Sequence, residues 1–339
     1  MRVLCVNTGS SSVKWARFDG GRRQSAGRTE GLREAAAFAA AMDRALGEQT
    51  EEPQAVAHRI VAPATAWAGA RRMDDGLKAE LRALTPLAPD HLPQALAAIA
   101  AAEQHFPALP QWACSDSSFH RTLPAPARRL PLPPALDPRL ARYGYHGLSC
   151  ESVVEALRSE GALPRRMVIA HLGNGCSLTA VRDGASVETT MGFTPLGGLV
   201  MSTRAGDLDP GVLLYLLQER GVQAAQLNQI LNHEAGLRGL AGGSGDMKAL
   251  LADPRPEAAA AVELFVYTAR KYLGAMAAVL GGVDVLVFTG GIGEHAAGIR
   301  GRMIQGMDWL APGGTLSTRV IPAGEEGVMA RQTAAAMGG

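Results

Sequence analysis

The chain has 339 residues, with 33 Lys and Arg against 32 Asp and Glu, so its net charge is +1. A hydrophobic content of 47% with 19% charged residues is typical of a globular protein long enough for two domains. This balance argues against nucleic acid or a membrane surface as a partner. Residues 1–20 do not resemble a signal peptide and no apolar run is long enough to span a membrane, so we expect a cytoplasmic protein.

The chain opens with a predicted β-hairpin. Strand Val3–Val6 is followed by a polar turn over Asn7–Ser12, an alternating stretch over Val13–Phe18 and a second turn at Asp19–Gly20. Small residues in the first turn would let a phosphate approach the backbone, and Lys14 would supply positive charge. The segment is not a P-loop, because no glycine precedes this lysine and no hydroxyl residue follows it. An ordinary Ser/Gly-rich hairpin is the alternative.

The next part of the chain alternates helical and irregular segments. Composition predicts helices within residues 30–50 and over Gln94–His105. Proline then clusters over Pro124–Pro138, which indicates a long irregular connection. A further helix is predicted over Cys150–Gly161, with Ser149 as its N-cap.

The segment Met167–Gly184 repeats the strand–turn–strand pattern of the opening hairpin. One common offset superposes Gly9, Asp19 and Gly20 on Gly173, Asp183 and Gly184. We therefore predict a duplicated α/β fold whose two hairpins face a shared central cleft. The predicted domains are residues 1–143, on the acyl and phosphate side and with the C-terminal tail packing back on it, and residues 144–339, for nucleotide binding and dimerisation.

The C-terminal part is predicted to be mainly helical. Helices are expected over Asp209–Arg220, Ala224–His233 and Pro256–Leu280. The apolar run Val283–Thr289 reads as a strand that ends in a glycine-rich turn, with a helix over Ala296–Met303. Such a turn suits nucleotide binding, although a plain strand-to-helix connection is the commoner meaning.

Four residues beside glycines or in predicted turns could carry chemistry, namely Arg59, Asp116, His146 and Arg204. Each has an alternative role: a structural ion pair for the arginines, a turn cap for the aspartate and a core position for the histidine. Together they suit phosphoryl transfer, which needs positive charge around the phosphate and carboxylates for a metal. A serine hydrolase is disfavoured because no G-x-S-x-G motif occurs. Four dispersed cysteines without a CxxC pair argue against a zinc site or a disulfide framework.

Five segments in order resemble the signatures of acetate kinases. They are Asn7–Lys14, Tyr143–Gly147, His171–Gly175, Thr194–Pro210 and Phe288–Glu294. The resemblance implies an actin-like, ribonuclease H-like ATPase fold of the acetate and sugar kinase/Hsp70/actin superfamily. It also implies a homodimer that uses ATP/ADP with Mg²⁺, or with Mn²⁺.

Carried over by position, the resemblance implies roles for individual residues. Arg59 and Arg204 would flank the transferred phosphoryl group, His146 would hydrogen-bond to it, and Asp116 would organise the arginines or the metal. The phosphate region would contain Asn7, Ser10, Ser12 and Lys14. The nucleotide would contact His171, Asn174, Gly175, Gly290, Gly291, Gly293 and Glu294. Asn7 and Glu325 would serve the metal, with Glu326 as the alternative glutamate.

The implied acyl pocket departs from the family pattern. Its positions are Val61, Asp90, Tyr145 and Pro195, and Asp90 stands where the family has an apolar residue. This carboxylate would repel a carboxylate substrate unless it points away or accepts a hydrogen bond from it. We expect reversible, direct in-line transfer of the ATP γ-phosphate to acetate or a similar short acid. The alternatives are a kinase for propionate or a polar short acid, one with a different phosphoryl donor, or a non-catalytic nucleotide-binding regulator of the actin/Hsp70 type.

Overall fold

The computed structural model describes residues 1–9, 12–30, 32, 35–47 and 52–338, so Ser10 lies outside the described residues. The strands are β1 (Arg2–Thr8), β2 (Ser12–Asp19), β3 (Arg22–Glu30), β4 (Ala55–Ile60), β5 (Ala70–Arg72), β6 (Gln111–Ser115), β7 (Arg166–Leu172), β8 (Cys176–Arg182), β9 (Ala185–Thr189), β10 (Val285–Thr289) and β11 (Ser317–Val320). The α-helices are α1 (Ala35–Gly47), α2 (Asp75–Ala83), α3 (Leu92–His105), α4 (Ala125–Arg128), α5 (Gly147–Ser159), α6 (Pro210–Gln218), α7 (Ala224–Gln229), α8 (Gly236–Ala241), α9 (Met247–Ala252), α10 (Pro256–Leu280), α11 (Gly290–His295), α12 (Ala297–Ile304) and α13 (Glu325–Gly338).

The chain forms two compact units. The first comprises Met1–Arg121, Gly147–Ser152 and Gly324–Gly339, and the second comprises Thr122–His146 and Val153–Ala323. The C-terminal helix α13 thus belongs to the same unit as the opening hairpin. The chain changes unit after Arg121, His146, Ser152 and Ala323.

The first unit is built on a six-stranded sheet in the order β3-β2-β1-β4-β6-β5. Strands β1, β4 and β6 run parallel, whereas β2 and β3 continue from β1 as antiparallel neighbours. Alternate residues of β1 serve opposite faces, as the two-residue period of a strand requires. Leu4 and Val6 pack into an apolar cluster with residues of α1 and α3, while Val3 and Cys5 join a second cluster with residues of α13.

The second unit has a five-stranded sheet in the order β11-β10-β7-β8-β9. Here β7 runs parallel to β10 and antiparallel to β8, and β10 runs parallel to β11. Apart from the extra edge strand β5, the two sheets share one strand order. The predicted duplication is therefore confirmed, and the long helix α10 has the predicted bounds Pro256–Leu280.

The repeat is less regular than one common offset implies. Thr8 pairs with Val13 in the first hairpin, whereas Leu172 pairs with Cys176 in the second, whose connecting loop is one residue shorter. The next turns, both with positive φ, are Gly20–Gly21 and Asp183–Gly184. The predicted match of Asp19–Gly20 to Asp183–Gly184 is therefore wrong by one residue on the return strands.

Local predictions fail at three places. Helix α5 begins at Gly147, with His146 in the N-cap position in a left-handed conformation (φ 60°, ψ 24°), so Ser149 is not the N-cap. Arg59 lies within strand β4 instead of a turn. The predicted glycine-rich turn after β10 is already helical as α11, where the Glu294 carboxylate accepts a hydrogen bond from the Gly290 amide at 3.0 Å.

Other features agree with the predictions. Helix α1 falls within its predicted segment, α3 begins two residues before the predicted start and ends at the predicted His105, and α12 is shifted by one residue towards the C-terminus. The four cysteines are buried free thiols. Over the described ranges, no helix has both the length and the apolar content needed to cross a bilayer.

Candidate active site

Three predicted residues lie where the parallel strands of the first sheet end. Asn7 is in the last part of β1, Arg59 in β4, and Asp116 directly follows β6. Two residues before each of them stand Cys5, Ala57 and Cys114, which belong to the apolar cluster beside α13. The two-residue period places all three polar side chains on that face. The carboxyl ends of parallel strands are the usual position of ligand sites in α/β sheets.

Hydrogen bonds connect these side chains to the start of α13. Arg59 donates from Nε to Asp116 Oδ1 at 2.9 Å and from Nη1 to Asn7 Oδ1 at 3.1 Å. Asn7 Nδ2 donates to Glu325 Oε2 at 2.8 Å and to Glu326 Oε1 at 2.9 Å. The network fixes the orientation of the arginine and gathers three carboxylates around it.

The Arg59 guanidinium is held in its charged form. Burial alone would lower its pKa, but the negative charges of Asp116, Glu325 and Glu326 outweigh burial and raise that pKa above its ordinary value. The pair with Asp116 is the structural ion pair that the sequence left open as an alternative. A buried charge is costly to hold even when paired, and such clusters are common in functional sites.

Other predicted residues of the first unit occupy defined positions. Lys14 on β2 is directly opposite Asn7 on β1, so both side chains are on the same face of the sheet. The Ser12 carbonyl accepts a hydrogen bond from the Gly9 amide at 2.8 Å and closes the turn. Val61 is buried just after β4, whereas Asp90 is half-buried just before α3.

The oxygen atoms beside Asn7 fit a hard divalent cation. Glu325 and Glu326 both place a carboxylate oxygen within hydrogen-bond distance of the same amide nitrogen. The described part of the chain contains no group of three or more His, Cys, Asp or Glu side chains able to hold a metal. Mg²⁺ typically uses one or two carboxylates and takes its other ligands from phosphates and water. These oxygen ligands suit a cation that binds together with a nucleotide. The geometry does not distinguish Glu325 from Glu326 as the metal ligand.

In the second unit, His146 and His171 are in direct contact. Their rings stack with centroids 4.1 Å apart and an interplanar angle of 26°. His146 Nδ1 lies 3.0 Å from the hydroxyl of Ser177, which is fully buried. The left-handed backbone at His146 is uncommon for a residue other than glycine, and such strain is concentrated in functional sites.

Gly175 lies close to two of the predicted catalytic side chains. A Cβ atom placed on it would be 3.0 Å from His146 Nε2 and 3.6 Å from Arg204 Nη1. Arg204 donates from Nη1 to the Pro195 carbonyl at 3.3 Å, and the buried Tyr145 donates its hydroxyl to the Phe193 carbonyl at 2.6 Å. His146, Gly175 and Arg204 are therefore close together, and Pro195 is in contact with this arginine.

The predicted nucleotide loop lies at the ends of β7 and β10. A Cβ atom on Gly290, which has φ +77°, would approach the Leu172 carbonyl oxygen to 2.8 Å, so only glycine fits there. Glu294 accepts backbone hydrogen bonds from Gly290 and Ala323, both at 3.0 Å, and thereby ties the loop together. A Cβ atom built on Gly291 would have no heavy atom within 4 Å. A Cβ atom built on Gly293 would make ordinary van der Waals contacts. In the preceding turn, the Asn174 carbonyl accepts a hydrogen bond from Ser202.

The prediction from sequence did not include two polar residues of this region. Ser177 pairs with His171 across β7 and β8, and Thr289 pairs with His171 across β7 and β10. Thr289 is fully buried, and its hydroxyl has no hydrogen-bond partner within the described chain. A buried hydroxyl without a protein partner beside a glycine turn fits a site that a polar ligand completes. Ser177 lies outside the five signature segments, and Thr289 lies within Phe288–Glu294 without an assigned role, so only the strand register shows that both are neighbours of His171.

Comparison with known proteins identifies the family. The profile of the Acetokinase family matches residues 23–335. An acetate kinase of Methylocella silvestris is 43% identical over 304 residues, which cover 84% of this chain and 75% of that protein. An acetate kinase of Rhodopseudomonas palustris is 46% identical over 260 residues, but these cover 76% of this chain and only 65% of that protein.

Solved structures agree with these relatives. A crystal structure of Porphyromonas gingivalis acetate kinase matches with a TM-score of 0.86 at 29% identity and covers 99% of both chains. A propionate kinase from Francisella tularensis also gives a TM-score of 0.86 at 29% identity, with 98% of both chains covered. A sugar kinase, the ROK-family glucokinase of Streptomyces griseus, matches at a TM-score of 0.52 and 14% identity, which supports the actin-like ATPase fold alone. The chain belongs to the Acetokinase family, a family of enzymes that phosphorylate a carboxylate.

Proposed function

We propose that the chain reversibly transfers the γ-phosphate of ATP to acetate or a similar short carboxylic acid, giving an acyl phosphate and ADP by direct in-line transfer. The observation that carries the proposal is the partly buried Arg59, held by Asp116 and Asn7 at the carboxyl ends of three parallel strands. Its fixed, charged guanidinium is suited to stabilising the oxygens of a phosphoryl group in transfer.

The acceptor needs no general base. A carboxylic acid has a reference pKa of about 4, so near neutral pH it is already the anionic nucleophile. The protein then has to position the reactants and neutralise charge, which is how phosphoryl transfer is generally catalysed. Each unit supports this chemistry by itself: the first holds Arg59 with the Asn7 amide, and the second holds Arg204 near the His146 imidazole.

In the second unit, Arg204 and His146 are assigned to the developing charge on the phosphoryl oxygens. Both side chains approach Gly175, where the absence of a Cβ leaves room beside them. The nucleotide is assigned to His171, Asn174 and the loop Gly290–Glu294. Phosphates can approach the backbone closely where glycines leave it uncovered.

Asn7 and Glu325, with Glu326 beside them, are proposed to hold the divalent cation, which is Mg²⁺ or Mn²⁺. Oxygen ligands of this kind suit either ion. When bound with the nucleotide, the cation supplies positive charge that offsets the charge of the phosphates. Within the first unit, Arg59 contacts Asn7 directly, so the arginine and the proposed metal ligands form one hydrogen-bonded group. Because ATP is the phosphoryl donor, we also propose a cytoplasmic location.

The preferred acid is the open part of the proposal. Related proteins are named as acetate kinases and, in one solved structure, as a propionate kinase. Val61, Tyr145 and Pro195 would provide an apolar wall, whereas Asp90 would add a carboxylate to it. We propose acetate as the first substrate to test and short hydroxy acids as the second.

A hydroxamate assay tests the function directly, because hydroxylamine traps acyl phosphates. The full-length chain is incubated with ATP, Mg²⁺ and, in turn, acetate, propionate, butyrate, glycolate and lactate. Trapped product with at least one acid is expected, and ATP turnover without any hydroxamate would contradict the proposal. The same panel with Asp90→Leu tests the pocket: a wide preference for acetate that is unchanged in the variant would remove Asp90 from the acyl site.

We further propose that the protein is a homodimer formed through helix α6. None of the residues of this helix is buried. The helix exposes four large hydrophobic side chains, namely Val212, Leu214, Tyr215 and Leu217. An exposed apolar patch of this kind commonly marks a protein interface. Light scattering after gel filtration should give twice the mass of 35.4 kDa for the chain and a smaller mass for Leu214→Asp. A monomeric mass for the unaltered chain would contradict the dimer.

A further inference from the structure

We infer that Ser177 is a positioning residue for the proposed reaction: its hydroxyl donates a hydrogen bond to Nδ1 of His146 and so keeps this imidazole in the neutral tautomer that carries its proton on Nε2. The inference rests on the proposed function, since it assigns His146 the task of donating from Nε2 to a phosphoryl oxygen. Nothing in the sequence motifs assigns a role to this serine.

The geometry fixes which ring nitrogen the serine can reach. Ser177 Oγ lies 3.0 Å from Nδ1 of His146, and the serine is fully buried on β8. The opposite nitrogen, Nε2, lies on the side of Gly175, where a Cβ atom would be 3.0 Å from it. One nitrogen of the ring therefore faces the buried serine, while the other faces the turn that the proposed function gives to the phosphates.

Counting donors decides the tautomer. His146 is the only hydrogen-bond partner of the Ser177 hydroxyl among the residues that the structure describes. If Nδ1 carried the proton and donated to the serine oxygen, the serine O–H would be buried without an acceptor. If the serine donates, only an oxygen lone pair is left over, which is tolerated far better than an orphaned buried donor. The Nδ1 atom is then the acceptor, and the proton of the neutral ring is on Nε2.

The surroundings also favour a neutral ring. The Arg204 guanidinium approaches the same glycine as Nε2 of His146, with its Nη1 atom 3.6 Å from the built Cβ. The His171 ring is stacked on His146 at a centroid distance of 4.1 Å, so a proton on either imidazole opposes a second one on the other. A neutral imidazole with an Nε2–H group still donates a hydrogen bond, and it adds no further positive charge beside this arginine.

Nitrogen NMR on the unaltered chain tests the tautomer without any assay of activity. The protein contains 8 histidines, and the signals of His146 are assigned by their loss in His146→Asn. With ¹⁵N-labelled histidine near neutral pH, we expect an unprotonated Nδ1 and a protonated Nε2. A protonated Nδ1, whether in the other neutral tautomer or in an imidazolium, would overturn the inference. Because this measurement needs no substrate, it separates failure of the inference from failure of the proposed kinase activity.

Kinetics of serine variants test the positioning role. Ser177→Ala removes the donor, and we expect turnover to fall roughly 10- to 100-fold, as is common when a partner that orients a functional histidine is removed. The KM for ATP should change little, and Ser177→Thr, which keeps a hydroxyl, should recover most of the turnover. Ser186→Ala, at a buried serine on β9 of the same sheet, is the matched control. Equal turnover in Ser177→Ala and the control, or a threonine variant no better than alanine although both are folded by circular dichroism, would overturn the role.

Discussion

The two sheets have the same strand order but carry different chemistry at equivalent positions. In the first, Asn7 on β1 is opposite Lys14 on β2, and Arg59 on β4 donates to this asparagine. In the second, the corresponding positions are held by His171 on β7, Ser177 on β8 and Thr289 on β10. Two cationic side chains in the first sheet are thus replaced by two hydroxyl groups in the second.

The comparison separates two contributions: the fold sets where these side chains lie, and the residue types set their chemistry. Because the two sheets share one topology, each sheet has three adjacent residue positions at the same end of three neighbouring strands. In the first sheet these positions carry charge, which is balanced by carboxylates such as Asp116 and Glu325. In the second they carry one imidazole and two hydroxyl groups beside glycine turns. The proposed function uses Arg59 of the first set for charge stabilisation and His171 of the second set for nucleotide binding.

Removing the charge from the first sheet should have the largest effect. We expect Arg59→Ala to lower kcat roughly 1000-fold or more, the range in which a phosphoryl-transfer arginine contributes. Arg59→Lys should recover little, because an ammonium cannot reproduce the two bonds of the guanidinium to Asp116 and Asn7. Steady-state kinetics by the hydroxamate assay measures both variants. Arg71→Ala, an exposed arginine on β5 that pairs with Glu80, is the control, and equal kcat values for it and Arg59→Ala would refute the assignment.

The arginine of the second unit should act mainly on turnover. We expect Arg204→Ala to lower kcat by roughly 100- to 1000-fold with less than a tenfold change in KM, since charge on the phosphoryl oxygens is stabilised more in the transition state than in the ground state. Arg220→Ala, at an exposed arginine after α6, should retain normal kinetics. A near-normal kcat for Arg204→Ala would show that the second unit contributes no charge to catalysis.

A smaller change tests whether the glycine turn of the second sheet orients the imidazole. In Gly175→Ala the new methyl group would lie 3.0 Å from His146 Nε2, so the ring must move by a few tenths of an ångström. We expect kcat to fall roughly tenfold to a hundredfold, because small misplacements of catalytic groups cost factors of this size. Gly301→Ala on α12, where a methyl group meets nothing within 4 Å, is the matched control. Unchanged kcat in the Gly175 variant would mean that the turn tolerates a side chain.

The sequence was sufficient to predict the duplication and most of the polar residues of the candidate site. Asn7 and Arg204 lie in signature segments, Arg59 and Asp116 were recognised as charged residues beside glycines or in predicted turns, and helix α10 could be bounded by its leading proline and trailing glycine. The sequence assigned no role to Ser177 or to Thr289, although Thr289 lies in a signature segment, because both become neighbours of His171 only through strand pairing.

The misjudged offset shows the same limit. Its physical origin is the loop of the second hairpin, which is one residue shorter, so that Lys14 corresponds to Ser177. The single offset aligns this lysine with Leu178, whose side chain is on the opposite face of β8. The register is set by the pairing of two strands, so the order of residues along one sequence does not reveal it directly.

The faces behind these positions differ in one ionisable group, and this difference predicts a modest pH effect on stability. His58 on β4 is buried with Nε2 2.7 Å from Gln111 Oε1, and Phe288 occupies the corresponding position on β10. Burial lowers the pKa of His58 from 6.5 to about 4, against smaller opposing effects of Gln111 and Glu103. The neutral form therefore stabilises the fold fully above pH 6.5, and this stabilisation is lost as the pH falls from there towards about 4.

Between about pH 7.5 and about pH 5 the expected loss from this histidine is about 2 kcal/mol in the free energy of unfolding. Urea unfolding at both pH values measures it, and the loss due to this group should be absent in His58→Gln, whatever the absolute stability of that variant. His105→Gln, at the exposed end of α3, should keep the pH dependence of the unaltered chain. If His58→Gln lost as much stability between the two pH values as the unaltered chain, burial would not lower the pKa of His58 in the folded state. The pair of His58 and Gln111 would then contribute no pH dependence to stability, as Phe288 contributes none at the corresponding position of the second sheet.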